Sequence, residues 1–503
     1  MEKLNRKYGL EHGSIPDRVF DYPVRVAQFG TGVLLRGLVD LIFQQAVDHG
    51  LYQGRIAMIK STSPDTGPFR EQDNIYTVVV AGLDAQQNPL VSSHLITCID
   101  RVISATEEES ELKTLFTNTD LEIVVSNVTE IGLDYREEAF SVPLPASYPG
   151  KLTALLYHRF KTFKGDPSKG LSIIPTELLS DNGKILKERV FRHAGFNHLE
   201  TEFLQWLEEA CDFCDSLVDR IVPGKLKPGN GFITLPYEDA LAVQTEPYCL
   251  WAIQGNASTI KRLPFAGKIE GLVVSHSIQS FREQKLRLLN GGHTALSPIA
   301  FQAGCQTVGQ MMDHPLIAAS LEVLGEKEIL PTLTGLAPDA REFFLQMKTR
   351  WRNPYIVHEL KTILAQSTTK MQARNGDTFI RYFQTRGALP EMLCFGLAAF
   401  LYLFRPHRME EGLYFAPGSH GEDFEVRDQK AALLFEHWQP YYRNQEKMED
   451  TVPLLLSDPH LFEHPFARLP GLADKITALM LAFRKTSVPD QLSQLLNSVP
   501  QHA

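Results

Sequence analysis

The chain has 503 residues, of which 43% are apolar and 22% are charged. This composition indicates an ordinary globular protein with two or three domains and excludes the disordered and fibrous classes. The formal net charge of −10 disfavours nonspecific binding of nucleic acid, although a small anion can still bind where cations gather.

Segments that direct export or membrane insertion are not predicted. Residues 1–21 are polar and lack the apolar core of a secretory signal. The longest apolar run, 392–404, is too short to span a bilayer and predicts a buried helix. The six cysteines show no disulfide framework, so we expect the reducing cytoplasm. Cys211 and Cys214 form a CxxC motif without a second Cys or His pair at zinc spacing. We interpret them as two thiols on one helix, with a metal or redox role as the alternative.

The first β-prone run, Val24–Phe29, leads directly into Gly30-Thr31-Gly32 and then into an amphipathic stretch, 33–48. A strand, a glycine turn and a helix in this order form the phosphate-binding entry of a dinucleotide-binding fold. Glycine lets the backbone approach pyrophosphate, and the helix start offers free N–H groups. The third glycine, Gly37, comes two positions later than in GxGxxG, so the motif alone is a weak signal.

The second strand, Arg55–Lys60, is expected to end beside the adenosine ribose of a bound dinucleotide. NAD-binding folds usually have an Asp or Glu at that point, whereas this chain has Lys60-Ser61-Thr62. The local chemistry leaves NAD and NADP open, because Lys60 also suits a 2′-phosphate.

Strands continue to alternate with helices through about residue 275, which predicts a mostly parallel, doubly wound sheet. We expect the later strands at 75–81, 95–102, 121–126, 171–175, 216–222 and 269–275. The exit of the strand at 121–126 carries Asn127, Thr129 and Glu130. Open α/β sheets bind ligands at such exits, and a helix cap is the alternative interpretation. Within the strand at 216–222, the adjacent Asp219 and Arg220 indicate a structural ion pair or a functional pair.

Beyond residue 275 the pattern changes to long helices, and the stretch 412–423 is predicted as a surface loop. Helices are expected at 339–351, 354–366, 387–404, 428–442 and 472–485. Arg352, His358 and Lys370 lie near two of the predicted helix ends. On spacing alone we interpret them as C-terminal charge and capping residues.

The helix that opens this second half carries Lys285, Asn290 and His293. At 100° per residue, His293 lies about 80° and Asn290 about 140° from Lys285, so the three groups share one side. Set among leucines, they predict either a reaction site or a hydrogen-bonded set between helices. Gly291 and Gly292 indicate that another element packs close to the backbone there.

Taken together, these segments resemble the mannitol dehydrogenase family of long-chain polyol and uronate dehydrogenases. The matching segments follow family order along the chain: Gln28 to Gly32 with Leu35-Arg36, Ser126 to Glu130, Ile174 to Leu178 with Asn182-Gly183, Val218 to Val222, Lys285 to Ala295, Arg352 to His358, and Thr369-Lys370. We therefore expect an α/β fold, with a Rossmann-like domain over 18–275 followed by a mostly α-helical domain over 276–503. The resemblance implies NAD as the cofactor, bound by Gln28, Phe29, Gly30, Gly32, Arg36, Lys60, Asn127, Thr129 and Glu130.

The resemblance further implies metal-independent hydride transfer. Lys285 takes the role of acid and base, Asn290 holds the oxyanion and His293 orients the reacting oxygen. These roles suit the chemistry, because a carbonyl oxygen gains negative charge as hydride arrives at carbon and fixed donors then stabilise the transition state. Desolvation among leucines is expected to lower the pKa of Lys285 toward the working pH.

One pair of residues departs from the polyol enzymes of the family. They have Asp-Asn where this chain has Glu177-Leu178, and leucine cannot replace the asparagine as a second oxyanion donor. The Glu-Leu pair resembles the branch that interconverts D-tagaturonate and D-altronate in galacturonate breakdown, which is the function we expect. Fructuronate reduction, mannitol-type polyol oxidation and a non-catalytic nucleotide sensor are the alternatives.

A hexuronate carries a carboxylate that needs a cationic partner. The candidates are Arg220, Arg352, His358 and Lys370, with Lys370 first because it matches the substrate-side lysine of the family. Glu177 and Asp219 complete the candidate substrate-binding residues. A small-molecule hexuronate is the expected partner, with neither nucleic acid nor a membrane. The oligomeric state stays open.

Overall fold

A computed structural model of the chain describes residues 1–13, 16–61, 63–129, 131–140, 144–418, 421–463 and 466–498. The chain divides into two compact units, Met1–Ile278 and Gln279–Ala503, which we call the N-terminal and the C-terminal unit.

The strands of the N-terminal unit are β1 (Val24–Phe29), β2 (Arg55–Lys60), β3 (Tyr76–Leu83), β4 (Pro89–Ile96), β5 (Ile99–Ser104), β6 (Ile123–Ser126), β7 (Ser172–Pro175), β8 (Asp212–Phe213), β9 (Asp215–Asp219), β10 (Gly224–Lys225), β11 (Val243–Thr245), β12 (Leu250–Gln254) and β13 (Leu272–Ser275). Its helices, including short 3₁₀ turns, are Arg6–Glu11, Asp17–Asp21, Val33–Leu35, Arg36–Asp40, Leu41–Asp48, Gly67–Arg70, Glu109–Phe116, Ile131–Leu133, Tyr148–Thr162, Pro167–Lys169, Asn182–Phe196, Thr201–Ala210 and Ala257–Arg262.

The central sheet of this unit has the order β5-β2-β1-β6-β7-β8, and its strands are parallel. This is the Rossmann order, in which the chain builds outward from β1 on one side and then returns to the other side of it. Alternate residues of β1 enter opposite cores: Val26 packs in one buried cluster, and Ala27 and Phe29 pack in the other. Both faces of the sheet are therefore covered, as expected for parallel strands. The change of direction lies between β1 and β6, so the carboxyl ends of these two strands form the switch point.

Two further sheets correct the expectation of one continuous doubly wound sheet. Their orders are β10-β11-β3-β4 and β13-β12-β9. The single strand predicted at 95–102 is two strands, because the buried side-chain oxygen of Gln44 accepts hydrogen bonds from the backbone N–H of Thr97 (2.7 Å) and of Cys98 (2.9 Å). The two N–H groups are thus removed from strand pairing. β4 pairs with β3, and β5 joins the central sheet.

The CxxC motif also differs from its interpretation as two thiols on one helix. The helix Thr201–Ala210 ends before Cys211, and the backbone N–H of Cys214 donates to the Ile173 carbonyl at 2.9 Å, beside the central sheet. Burial raises the pKa of the Cys211 thiol to about 11 and raises that of Cys214 as well. Both thiols are therefore protonated packing groups at neutral pH.

The C-terminal unit is mostly helical. Its helices are Gln279–Gln284, Lys285–Gly291, Gly292–Gln302, Val308–Asp313, Pro315–Glu322, Val323–Ile329, Leu330–Leu333, Ala340–Trp351, Leu360–Leu364, Ser367–Arg386, Glu391–Leu403, Ala431–Tyr442, Met448–Ser457, Phe466–Arg468 (a 3₁₀ turn), Leu472–Phe483 and Val488–Ser498. Glu391–Leu403 is the apolar run seen in the sequence, and it is buried almost all round. In the described part of the chain, no helix combines the length and the apolar character that crossing a membrane requires.

Two predictions for this unit were wrong in extent. The helix expected at 354–366 is only Leu360–Leu364, because Gln366 adopts a left-handed backbone (φ +59°) and a new helix, Ser367–Arg386, starts after it. The loop expected at 412–423 contains β15 (Leu413–Pro417) and the first residue of β16 (Asp423–Glu425), which form a three-stranded antiparallel sheet with β14 (Arg408–Glu410). Residues 419 and 420 of the expected loop lie outside the described residues.

Candidate active site

The glycine turn of the N-terminal unit follows β1 directly. Gly30 has φ +130°, which favours glycine, and a Cβ there would lie 2.9 Å from Cδ1 of Leu35 and 3.0 Å from the Asn127 carbonyl oxygen. Gly32 is the N-cap of the helix 33–48; no described side chain caps it, and a Cβ on it would meet nothing within 4 Å. At Gly30 the neighbouring protein atoms leave no room for a side chain, whereas the space beside Gly32 is free of protein atoms.

The other predicted cofactor residues near β1 are mainly buried. Gln28 donates from its side chain to the Gly30 carbonyl at 3.3 Å, and Phe29 packs in the core. Arg36 lies in a π-helical turn, with Nη1 donating to the Leu241 carbonyl at 2.5 Å. Lys60 ends β2 beside the turn, and its ammonium donates to the Asp65 carbonyl. In this unit Gln28, Phe29 and Arg36 thus hold the turn and its helix.

At the end of β6, the chain is fastened to β7 by side chains. The Asn127 amide donates to the backbone carbonyl and to the hydroxyl of Thr176, both at 3.1 Å. Thr129 adopts a left-handed backbone, φ +73°. The predicted Glu130 lies outside the described residues. Asn127 therefore joins the two strand ends at the switch point.

The carboxylate of Glu177 also binds the segment that follows β6. Its side chain is 3% exposed, and it accepts from the Val128 N–H at 2.9 Å and from the Ser126 hydroxyl at 3.2 Å. Burial raises the pKa of this carboxyl. Leu178, the next residue, is 64% exposed. Glu177 thus shapes the loop after β6.

Asp219 and Arg220 follow one another at the end of β9. Asp219 is buried. Arg220 donates from Nε (3.0 Å) and Nη2 (2.8 Å) to the Glu246 carbonyl, and burial lowers its pKa. The Glu246 carboxylate in turn accepts from the Ile221 N–H at 2.6 Å. Arg220 is thus bound to main chain within the N-terminal unit.

In the C-terminal unit, the motif with Lys285 and Asn290 is a π-helical turn rather than an ordinary α-helix. A π turn closes from residue i to i+5, so Asn290 follows Lys285 by one turn. This corrects the separation of about 140° expected from α-helical spacing. Both side chains are half-buried, and the α-helix Gly292–Gln302 continues from the turn. Such single π turns are frequent at functional sites.

His293 is held between two rings. It stacks on Trp351, and the edge of His358 faces it with 5.3 Å between centroids. Its side chain is 6% exposed, and no described group hydrogen-bonds to its Nε2. Burial lowers the pKa of His293 well below its usual range, and the neighbouring basic groups His358, Arg374, Arg350 and Lys370 lower it further. The ring is therefore neutral at neutral pH.

The two glycines before His293 permit close packing, as the sequence predicted. A Cβ on Gly291 would lie 2.6 Å from Oδ1 of Asn375, and one on Gly292 would lie 3.3 Å from Cη2 of Trp351. Asn375 also donates to the Gly291 carbonyl at 3.3 Å. The helix Ser367–Arg386 and the Trp351 ring thus approach the backbone of the motif at Lys285–His293 directly.

Of the predicted basic residues of this unit, Lys370 and His358 are partly buried, whereas Arg352 is exposed. Lys370 lies in the first turn of the helix Ser367–Arg386 and donates to the carbonyls of Ile363 (3.0 Å) and Ala365 (2.5 Å) at the C-terminal end of the helix Leu360–Leu364, which is the capping role interpreted from the sequence. Burial and the charge of Arg374 lower the pKa of Lys370, and burial lowers that of His358. Arg352 is exposed at the C-cap of its helix.

Sequence reasoning missed Arg374, Trp351 and Thr294. Arg374 donates from Nη1 to the Thr294 hydroxyl at 3.1 Å, and that hydroxyl donates to the Asn290 carbonyl at 2.9 Å. The available signal was the four-residue spacing from Lys370 to Arg374, which places both on one face of a helix. This spacing was not recognised because no helix was predicted over residues 367–386, where the structure has one. Among the described residues, no three His, Cys, Asp or Glu side chains form a group that could hold a metal ion.

Family models cover most of the chain. The mannitol dehydrogenase Rossmann domain matches residues 24–267, and the mannitol dehydrogenase C-terminal domain matches residues 277–481. The chain belongs to the mannitol dehydrogenase family. As a member of this family it is an oxidoreductase that acts on CH–OH groups.

Curated relatives of this mannitol dehydrogenase family member match along most of its length. An altronate oxidoreductase of Bacillus subtilis (strain 168) is 36% identical over 411 residues, which cover 80% of this chain and 83% of the relative. An altronate oxidoreductase of Enterobacter sp. (strain 638) is 34% identical over 463 residues, or 91% and 93% of the two chains.

Solved structures of polyol dehydrogenases share the fold. Pseudomonas fluorescens mannitol 2-dehydrogenase, in a ternary complex with NAD and D-mannitol, has a TM-score of 0.67 at 18% identity, covering 99% of this chain and 100% of that one. A D-sorbitol dehydrogenase in substrate-free form has a TM-score of 0.79 at 17% identity, covering 97% and 100%. At these identities the likeness shows the fold alone.

Proposed function

We propose that the chain is an NAD-dependent oxidoreductase that interconverts D-tagaturonate and D-altronate. The name altronate oxidoreductase, which both curated relatives carry, supports altronate as one member of this pair. The observation that carries the proposal is the charge around His293. Three cations act on this imidazole, namely Arg374, Arg350 and Lys370, and His358 beside it is neutral at neutral pH because burial lowers its pKa. A chain with a net charge of −10 that gathers cations at one imidazole is suited to an anionic substrate.

The glycine turn fits a dinucleotide. The open space beside Gly32 and the uncapped start of the helix 33–48 suit a pyrophosphate, which binds backbone N–H groups at a helix start. Gly30, Gly32, Asn127 and Thr129 are the residues proposed to hold the cofactor. Bound NADH supplies the hydride for reduction of the ketone.

The groups of the C-terminal unit act on the ketone oxygen. Lys285, as an ammonium, delivers the proton to this oxygen, and the Asn290 amide donates a hydrogen bond that stabilises the growing negative charge. The neutral imidazole of His293, fixed between two rings, orients the same oxygen through Nε2. Since Leu178 cannot donate a hydrogen bond, Asn290 carries the stabilisation that a second amide gives in the polyol branch.

The test is a comparison of charged and neutral substrates. The decrease of NADH absorbance is followed with D-tagaturonate, D-tagatose, D-fructuronate and D-fructose, and the reverse reaction is followed with D-altronate and D-mannitol. We expect kcat/KM for D-tagaturonate to exceed that for D-tagatose by at least about 100-fold, as charge-assisted hydrogen bonds to a carboxylate require.

Other outcomes would overturn the proposal in defined ways. Preference for D-fructuronate or for D-mannitol would assign one of the rival activities within the family. NADH binding without turnover of any of the six compounds would favour the non-catalytic sensor. NADPH in place of NADH, tested with the same substrates, checks the cofactor.

A further inference from the structure

The guanidinium of Arg374 is attached to the catalytic helix itself. Nη1 donates to the Thr294 hydroxyl, which donates to the Asn290 carbonyl. The guanidinium is therefore two hydrogen bonds away from the backbone of Asn290, and Thr294 directly follows His293 in the chain. A ligand that contacts Arg374 therefore lies close to the side chains that act on the ketone.

Arg374 is also a cation without an acidic partner. Burial lowers its pKa, and no carboxylate opposes that effect. Among the ion pairs of the described residues, Arg374 has none, whereas Arg287 in the neighbouring π turn pairs with Glu283 at 2.6 Å and with Asp377 at 3.6 Å. A desolvated charge without a counter-ion is costly unless a ligand supplies one.

The donors of Lys370 and Arg374 are used differently. Two of the three N–H directions of the Lys370 ammonium go to the carbonyls of Ile363 and Ala365. The guanidinium of Arg374 has five N–H donors and gives one bond to Thr294. Among the described residues this guanidinium makes no other hydrogen bond, and the Arg374 side chain is only half-buried, so its Nε and Nη2 can donate to a ligand. A guanidinium edge matches the two oxygens of a carboxylate.

We propose that Arg374 binds the carboxylate of the substrate side-on and thereby determines the preference for a sugar acid over the corresponding neutral sugar. Lys370, anchored to main chain, contributes positive charge to the same region. This inference rests on the proposed function and assigns its specificity to one residue.

The experiment compares Arg374→Met, Arg374→Lys and Lys370→Met with Arg381→Met, a matched control at an exposed arginine of the same helix. Each variant is assayed with D-tagaturonate and with D-tagatose, while NADH binding and Tm are measured alongside. We expect Arg374→Met to raise KM for D-tagaturonate by about 100-fold and to leave kcat/KM for D-tagatose within about threefold. Arg374→Lys keeps the charge and loses the fork, so about a tenfold rise in KM is expected.

The outcomes separate the two proposals. If the wild type prefers D-tagaturonate and Arg374→Met keeps that preference, or loses activity equally with both substrates, Arg374 is not the specificity residue. A selective loss in Lys370→Met alone would assign the carboxylate to Lys370 and overturn the inference. If the wild type shows no preference for the charged substrate, the proposed function fails and the inference fails with it. Should Arg374→Met not fold, Arg374→Lys gives the same comparison.

Discussion

The imidazole of His293 lies flat on the indole of Trp351, with ring centroids 4.2 Å apart and ring planes 11° from parallel. Both side chains are buried. The contact is possible because Gly292 presents no side chain to the indole. Trp351 thus covers one face of the imidazole and excludes water from it, which keeps the ring neutral and fixes its orientation.

Trp351→Leu is expected to admit water to His293 and to raise the pKa of the imidazole toward its usual value, since burial is the main cause of the lowering. More of the ring is then protonated at acid pH, so the acid limb of the kcat/KM profile for reduction moves to higher pH. We also expect kcat at pH 8 to fall about 10- to 100-fold, because the ring is less firmly held. The pH profile and the titration of the His293 ring by NMR measure this. An unchanged profile would show that Trp351 only fills space.

Lys285→Met is expected to lower kcat for D-tagaturonate by about 10²- to 10⁴-fold, the range typical of a lost acid–base group. NADH affinity is expected to stay within about twofold, because the glycine turn does not involve Lys285. Stopped-flow reduction and fluorescence titration of NADH give the two values. Retention of more than a tenth of wild-type turnover would remove Lys285 from the proposed chemistry.

Gly32→Ala is expected to weaken NADH binding without destabilising the protein. A Cβ at Gly32 meets no protein atom within 4 Å, and its φ is −65°, so stability is expected to change by less than about 0.5 kcal/mol. If pyrophosphate approaches the backbone there, the added methyl weakens NADH binding by about tenfold or more. Calorimetric titration with NADH and thermal unfolding measure the two effects. Unchanged affinity would place the cofactor elsewhere.

Gly291→Ala is expected to destabilise the protein, because its Cβ would lie 2.6 Å from Oδ1 of Asn375. Overpacking of this kind costs about 1–3 kcal/mol, of which a helix-propensity gain of about 1 kcal/mol offsets part. Gly376→Ala is the matched control, since its Cβ would approach only Cγ of Gln372 at 3.9 Å. The control is expected to be neutral or slightly stabilising. Urea unfolding compares the two, and equal effects would contradict the packing argument.

Glu328 gives the C-terminal unit a pH-dependent stability. It accepts from the N–H groups of Met392 (2.6 Å) and Leu393 (2.9 Å) at the start of the buried helix, and burial raises its pKa to about 7. Because the folded-state pKa exceeds the unfolded value, the folded form binds the proton more tightly. Its contribution is complete below about pH 4.5 and is lost as the pH rises through about 7.

Glu328→Gln is therefore expected to remove part of the decline in the free energy of unfolding between pH 5 and pH 8. Denaturant unfolding at several pH values measures the slope. Glu436→Gln serves as the control, because Glu436 is exposed on the helix Ala431–Tyr442 and is not among the groups that act on Glu328, so its loss is expected to leave the slope unchanged. A variant at position 328 with the wild-type slope would contradict the assignment.

Local patterns predicted the elements that depend on nearby residues. The strand Val24–Phe29, the turn at Gly30 and Gly32 and the following helix are all as expected, since apolar alternation and glycine backbone freedom are encoded within a few positions. The close packing at Gly291 was predicted for the same reason.

Features that depend on distant partners were not predicted. The break between β4 and β5 is caused by Gln44, more than fifty positions earlier. The π turn at Lys285–Gly291 has no signature in residue type, so an α-helical wheel misplaced Asn290. Arg374 was overlooked because its partner, Thr294, is 80 positions away, and no spacing rule connects them.

The helix that bears Lys370 and Arg374 begins on a carboxylate from another part of the unit: Oδ2 of Asp428 accepts from the Thr368 N–H at 2.9 Å, and the Arg427 carbonyl accepts from the Gln366 N–H at 2.8 Å. The segment after β16 therefore fixes the start of that helix and, with it, the positions of the Lys370 and Arg374 side chains. Substitutions at Arg427 and Asp428 can therefore alter substrate preference although these residues are not proposed to contact the sugar. We expect directed evolution for a new substrate to select changes in this segment.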